Sequence, residues 1–498
     1  MAVATPATAP TPARSGTAAP PGPPAIGASS PPTPAPTTST PSQPLSLTIP
    51  RIVIAAPASG HGKTTVATGI VKALTDRGFT VAPFKVGPDY IDPGYHALAA
   101  GRTGRNLDPY LVGTDRVAPL FAHGAAGADL AVVEGVMGLY DGATGEGEFA
   151  STAQVAKLLD APVVFVVDAA AQGRSVAALV HGFRSFDPAV RLAGVILNRV
   201  GSETHLRILT EALDDLGVPV LGALVRDAKV AAPSRHLGLV PVAERRAEAL
   251  DAVAALGALV DAGVRLDQVY ALARTAPALR VAPWDPAAEV GPRRGAKARI
   301  AIASGPAFTF SYAENAELLT AAGAELLPFD PLRDERLPER VGGVVIGGGF
   351  PEVHAPELAA NEALREAVFQ FARYGGAIAA ECAGLLYLGK SLDGLPMCGI
   401  VDAEAVMTDR LTLGYRHAVA AAESVLAAAG TRVSGHEFHR TAVSPSAGSP
   451  PAWHWRRDNG PVTEGFAGSR IHASYLHLHW AGTPSVARRL VESCGVLR

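Results

Sequence analysis

One stretch, residues 51–65, restricts what this chain can fold into more than any other. Arg51-Ile52-Val53-Ile54-Ala55-Ala56 is an apolar run of strand length. Pro57-Ala58-Ser59-Gly60-His61-Gly62-Lys63-Thr64-Thr65 follows directly and opens an amphipathic helical pattern lasting to about residue 77. In a strand, loop, helix unit of this kind, successive backbone N–H groups and the positive end of the helix dipole face phosphate oxygens. Ser59, Gly60, Gly62, Lys63, Thr64 and Thr65 are therefore the expected nucleotide-binding residues. Lys63 is expected on the outer phosphates and Thr64 on Mg²⁺. The full pattern asks for glycine six residues before the lysine, where Pro57 stands, so the loop is a variant. A flexible connector is the plain alternative, and the Gly-Lys-Thr-Thr run argues against it.

Further apolar runs at 80–84, 130–134, 163–168 and 192–198 alternate with helical patterns, which implies a parallel sheet covered on both faces. The run 130–134 ends in Glu134, an acid expected beside the phosphate loop and on the metal. Asp141 follows in a glycine-bearing turn. Asp89 and Asp92 lie three apart in Lys85-Val86-Gly87-Pro88-Asp89-Tyr90-Ile91-Asp92-Pro93-Gly94-Tyr95-His96. They read either as turn residues or, at the ligand-bearing edge of a doubly wound sheet, as substrate or metal groups. Asn198, at the end of its run, faces a nucleotide base or caps a turn. Residues 276–298 are proline-rich and aperiodic, which marks a linker between domains at 49–275 and 299–498.

Composition removes other classes. At 498 residues the chain is too long for one core. Residues 1–48 are almost wholly Ala, Pro, Thr, Ser and Gly with Arg14 the lone charge, so they are expected to be a disordered, dispensable tail and not a secretory signal. A net charge of −3 gives no argument for nucleic acid or membrane partners. No apolar run reaches membrane-spanning length. Three scattered cysteines make neither a disulfide framework nor a zinc site, which suits a reducing cytoplasm.

The second half carries another α/β series, with strands expected at 299–303, 325–329, 343–346 and 377–380. The last ends in Glu381-Cys382-Ala383-Gly384, where small residues lead into a helical pattern. A nucleophile is held in this way on a sharp strand-to-helix turn, and a helix N-terminus there favours the thiolate. An inert core cysteine is the bland reading. Gly347-Gly348-Gly349 after another buried run offers an oxyanion loop, with Gly348 and Gly349 as the candidate donors. His477, with His479 on the same face of a strand, is the candidate base. His436 and His439 are lesser candidates, expected to be structural or at the domain contact.

Taken together, Ser59–Thr65, 84–96, 134–142, 347–352, 381–388, 436–439 and Tyr475-Leu476-His477 resemble the cobyrinate or hydrogenobyrinate a,c-diamide synthases of cobalamin biosynthesis, from about Arg51 onward. The resemblance implies an N-terminal P-loop domain of the dethiobiotin synthetase-like and ParA-like kind. It also implies a C-terminal class I glutamine amidotransferase-like α/β domain, and a homodimer is compatible with it. By the same resemblance Cys382 attacks glutamine with His477 as base and acid, and ammonia passes internally. ATP and Mg²⁺ activate a corrinoid carboxylate, with Asp89, Asp92, Glu134 and Asp141 handling metal, nucleotide and substrate. Two departures stand out: His479 occupies the place of the usual third triad member, so a dyad is expected, and Gly305 stands where relatives often carry an acid. Cobyric acid synthase is the nearest alternative, disfavoured by the 85–93 motif and the Gly-His-Glu-Phe-His segment. A ParA-like switch fused to an inactive amidotransferase-like domain is disfavoured by the presence of both Cys382 and His477.

Overall fold

The computed structural model describes residues 46–225, 234–235, 238–239, 241–292, 297–457 and 460–495. The tail expected at 1–48 therefore lies almost wholly outside the described residues. Its last residues, Ser46–Leu47, pair as a strand with Leu279–Arg280.

The first half is built on seven parallel strands. These are β1 (Arg51–Ala55), β2 (Val81–Val86), β3 (Arg105–Leu107), β4 (Leu130–Glu134), β5 (Val163–Asp168), β6 (Leu192–Val200) and β7 (Val220–Val225). Their order is β3-β2-β4-β1-β5-β6-β7. β1 is buried along its whole length because helices cover both faces, which is why its sequence is a run of aliphatics with no alternation. Arg51 is also buried, and its guanidinium donates to the carbonyls of Leu159 (2.6 Å), Ile49 (2.9 Å) and Pro277 (2.7 Å). A buried cation is tolerated there because carbonyl oxygens replace its water. Helix α1 (Lys63–Asp76) leaves the phosphate loop, and α2 (Asp92–Ala100) follows β2. Gly69 of α1 lets α3 (Arg246–Gly263) pack closely, since a Cβ there would stand 2.3 Å from Val260.

The second half adds β8 (Ala298–Ala303), β9 (Ala324–Phe329), β10 (Gly343–Ile346) and β11 (Ala377–Glu381). A hairpin of β12 (Glu404–Ala420) and β13 (Arg432–Ser444) follows, then β14 (Phe466–Ala467), β15 (Ile471–Ser474) and β16 (His477–Leu478). The second sheet runs β9-β8-β10-β11-β15-β14, parallel except for its β14 edge. The 17-residue β12 is the main element beyond the sequence expectation. It pairs antiparallel with β13, and β13 in turn pairs with β16, so His436 stands opposite His477.

The segment expected as a linker is packed. It carries the Leu279–Arg280 strand and a short helix Pro286–Val290, and Trp284 is buried. The two halves meet through side chains as well. Arg105 pairs with Glu314 at 2.6 Å and with Glu317, His123 Nε2 lies 3.0 Å from Glu317, and the Tyr415 hydroxyl donates to Asp108 at 2.9 Å. Among the described residues no helix is long and apolar enough to cross a membrane.

Candidate active sites

The phosphate loop lies at the carboxyl end of the central strand β1, the ligand edge of a doubly wound sheet. Gly60 (φ 85°) and Gly62 (φ 96°) take left-handed backbone conformations, and Gly62 immediately precedes α1. Lys63 Nζ donates to the Ala58 carbonyl at 3.1 Å and to the Met137 carbonyl. Burial and the neighbouring Lys85 bring its pKa down to about 8, against the pull of Glu134, Asp92 and Asp141. Ser59 and Gly60 are exposed at the loop crest, with Thr65 partly buried behind them. Asn198 Nδ2 donates to the His61 carbonyl at 2.9 Å, and its Oδ1 accepts from the Arg199 N–H, so it buttresses the loop. A Cβ on Gly62 would stand 2.1 Å from Asn198 Nδ2. Gly62→Ala is therefore expected to displace the loop and remove nucleotide binding while glutamine hydrolysis survives. Titration with a fluorescent ATP analogue, alongside a glutamate-release assay, checks this.

Beside the loop three carboxylates converge on one buried ammonium. Lys85 Nζ lies 2.6 Å from Asp92, 2.8 Å from Glu134 and 4.0 Å from Asp89. The Thr64 hydroxyl donates to Glu134 Oε1 at 2.6 Å and lies 3.3 Å from Asp92 Oδ2. His96 Nε2 faces the second Glu134 oxygen at 2.7 Å. Burial alone would raise Glu134, but Lys85 and His96 outweigh it and hold the carboxyl well below the usual range. Asp92 goes the other way, to about 7, because burial and the nearby Asp89 prevail over Lys85. Lys85 is itself raised, since three carboxylates overcome its desolvation.

Among the described residues no three His, Cys, Asp or Glu side chains converge to hold a metal by themselves. Thr64, Glu134 and Asp92 form an oxygen-only set of the kind that binds Mg²⁺ jointly with phosphates, so these residues fit that ion. Asp89 and Asp141 spend oxygens on local turns: Asp89 accepts from the N–H groups of Ile91 and Asp92, and Asp141 from Gly138. Lys85 and His96 were part of the sequence motif, yet nothing local marked them as the centre of this cluster.

At the other site Cys382 follows β11 with φ 50° and ψ −104°, a strained conformation for a residue with a Cβ. Its N–H is tied to the Ser474 carbonyl at 2.7 Å. Gly384 is required next, because a Cβ there would meet the Ile346 carbonyl at 2.3 Å. The N–H groups of Ala383 and Gly349 face the sulfur. Gly348 does not supply the second donor expected of it, because its N–H is bonded to the Phe310 carbonyl at 3.2 Å. The N–H groups left facing the sulfur are thus those of Gly349 and Ala383.

The thiolate expected from the helix N-terminus is also corrected. Burial, with Glu352 nearby, pushes the Cys382 thiol up to about 12, and the two N–H groups only partly oppose this.

His477 is fully buried, and its ring packs against Gly348, where a Cβ would stand 2.4 Å from its Cε1. Neither ring nitrogen has a hydrogen-bond partner among the described residues, so the candidate base makes no bond to Cys382 in this structure. Sγ instead lies 4.0 Å from the Phe438 carbonyl oxygen. Burial brings the His477 pKa down to about 3, so the imidazole is neutral. His479 stacks on Tyr312 and lies 3.5 Å from Glu314, within the ionic contact between the two halves. His436 shares a stack with His477 (centroids 4.9 Å) and lies 3.4 Å from the Tyr90 hydroxyl. His439 stacks on Tyr475 and sits 3.7 Å from Glu437. Tyr90 is the residue that sequence reasoning missed most completely. Its flanks Asp89 and Asp92 belong to the Lys85 cluster, while its ring lies 5.2 Å from that of His477.

Residues 52–240 match the CobQ/CobB/MinD/ParA nucleotide binding domain family, and residues 299–485 match the CobB/CobQ-like glutamine amidotransferase domain family. The chain is 62% identical to the hydrogenobyrinate a,c-diamide synthase of Streptomyces coelicolor, over 90% of this chain and 98% of that one. It is 52% identical to the enzyme of the same name from Thermobifida fusca, over 90% and 98%. It is 45% identical to the cobyrinate a,c-diamide synthase of Gloeobacter violaceus, over 89% and 96%.

Proposed function

Because the chain belongs to the hydrogenobyrinate and cobyrinate a,c-diamide synthase family, we propose that it amidates the a and c carboxylates of a corrinoid acid, using ATP and glutamine. The observation that carries this reading is the single segment 85–96. It supplies Lys85, Asp89 and Asp92 to the ATP side and Tyr90 to the thiol side.

Cys382 attacks the glutamine amide carbon while the oxygen moves onto the N–H groups of Gly349 and Ala383. His477 takes the thiol proton and returns it to the leaving ammonia. Water then releases glutamate from the thioester. On the other side the loop N–H groups and Lys63 bind the triphosphate, with Ser59, Gly60, Gly62 and Thr65 completing the cradle. Mg²⁺ held by Thr64 and Glu134, with Asp92, would neutralise charge on the phosphoryl group being transferred. The corrinoid carboxylate displaces ADP to form an acyl phosphate, and ammonia displaces phosphate to give the amide. Asp89 orients the segment that meets the carboxylate. Asp141 faces Lys63, and Asn198 keeps the loop in place beneath the nucleotide.

The higher identity to hydrogenobyrinate enzymes favours the cobalt-free ring as substrate. Mass spectrometry after incubation with ATP, glutamine and either hydrogenobyrinic or cobyrinic acid tests the reading. Two amide groups are expected on the cobalt-free ring. A ring left unamidated in both reactions would refute it.

A further inference from the structure

A cavity of about 540 Å³, within the size range of small-molecule sites, opens between the two halves. One wall includes Asp89 and Met137 of the nucleotide-binding half, and the Met137 carbonyl accepts from Lys63 Nζ of the phosphate loop. The facing wall is the hairpin strand β12 of the amidotransferase half, through Leu413, Gly414, Tyr415 and Arg416. The stacked rings of Tyr110 and Tyr415 (centroids 4.2 Å, 16°) seam the two walls together. The amidotransferase half therefore closes a cleft that begins at the ATP site, although β12 carries none of the groups that act on glutamine.

Arg416 is the only lysine or arginine among the described residues that line this cleft. Its Nε donates to Glu437 at 2.6 Å, and Nη1 donates to the Tyr415 carbonyl at 2.7 Å. Gly414 makes room for the guanidinium, because a Cβ there would stand 2.9 Å from Arg416 Nη1. Glu437 is shared with Arg457, so two guanidiniums stand against one carboxylate and a positive charge is left over. The two acids lining the cleft, Asp89 and Glu146, belong to the other half, so an anionic edge is drawn to the β12 wall. Met137 and Leu413, one from each half, are large apolar side chains 41% and 59% exposed. Exposed apolar groups around one cleft suit a ligand with an apolar body. A ring with apolar faces and carboxylates around its edge matches both features, faces to Met137 and Leu413 and a carboxylate to the guanidinium.

We infer that this cleft seats the corrinoid, and that Arg416 of the amidotransferase half binds a peripheral carboxylate other than the one being activated. The inference rests on the proposed function above and adds to it a substrate-binding role for β12. Amide formation thus depends on the amidotransferase half even when ammonium salts supply the nitrogen.

Equilibrium dialysis of the full chain against hydrogenobyrinic acid, followed by the visible absorbance of the ring, reads binding without turnover. Arg416→Met is expected to raise the Kd about tenfold or more, as for one lost charge-assisted contact. KM for the ring is expected to rise equally with glutamine and with ammonium chloride. Glu437 keeps Arg457 in that variant, so no carboxylate is left alone. Affinity for a fluorescent ATP analogue stays at the wild-type level, which also reports folding. Leu413 is exposed, so a charge can be placed at the cleft mouth without opening the core. Leu413→Glu is expected to weaken ring binding several-fold, and Leu413→Lys is not. This pair decides the matter if Arg416→Met fails to bind the nucleotide analogue. A folded Arg416→Met with a Kd within about twofold of the wild type overturns the assignment, as do equal effects of Leu413→Glu and Leu413→Lys. A wild type that binds neither hydrogenobyrinic nor cobyrinic acid overturns the proposed function, and the assignment with it.

Discussion

Cys382→Ser is expected to lower glutamine-driven amidation by about 10³-fold or more while leaving ammonium-driven amidation intact. The Cys382 sulfur stands before the Gly349 and Ala383 N–H groups, and serine keeps the Cβ and so the strained turn. The phosphate loop stands on a separate sheet, which the substitution does not touch. A serine hydroxyl in the same place would need far stronger activation than a neutral imidazole supplies without a hydrogen bond to it. Parallel assays with glutamine and with ammonium chloride decide the matter. Equal loss from both nitrogen sources in a folded variant would contradict two separable sites.

The second large effect concerns stability. Lys85→Met removes the ammonium that three carboxylates share, and Glu134 lies almost wholly out of solvent. Breaking a buried pair by removing one partner costs about 3–5 kcal/mol, because the remaining charge is uncompensated. The pH dependence follows from which groups then change protonation. In the wild type the lowered Glu134 adds stability above its ordinary pKa, and that contribution is lost only as pH falls through its folded value. Lys85, being raised, adds stability below its ordinary pKa and loses it only as pH rises towards the folded value. Asp92, raised to about 7, opposes them as pH climbs to neutrality.

Without Lys85 both Glu134 and Asp92 take up protons on folding, so the folded variant binds more protons than the unfolded chain and loses stability as pH rises. Denaturant unfolding is therefore expected to show a smaller deficit at about pH 5 than at about pH 8. A deficit that is small and independent of pH would mean that Lys85 does not hold the cluster together.

What could be read in advance was what depends on neighbours along the chain. The glycine loop with Lys63 and Thr64, the elbow at Cys382 and the glycine run before Phe350 are each spelled within a dozen residues. The backbone conformations they need leave few other residue choices. The parallel sheets were legible for the same reason, as aliphatic runs of strand length. β12 was not, because a hairpin strand exposed on much of one face has no continuous apolar run.

The sequence by itself determined two α/β halves, a glycine loop opening the first helix and a cysteine set at a strand-to-helix turn. Only the tertiary structure decided how charges and donors are shared. It placed Lys85 among carboxylates that reach it from α2 and β4. It bonded the Gly348 N–H to Phe310, leaving Gly349 and Ala383 to face the sulfur, and it buried the thiol deeply enough to keep it neutral. It also carried Tyr90 from the ATP segment to the ring of His477. Each of these is set by distance and desolvation between segments far apart in the chain, and neither quantity is written in local spacing.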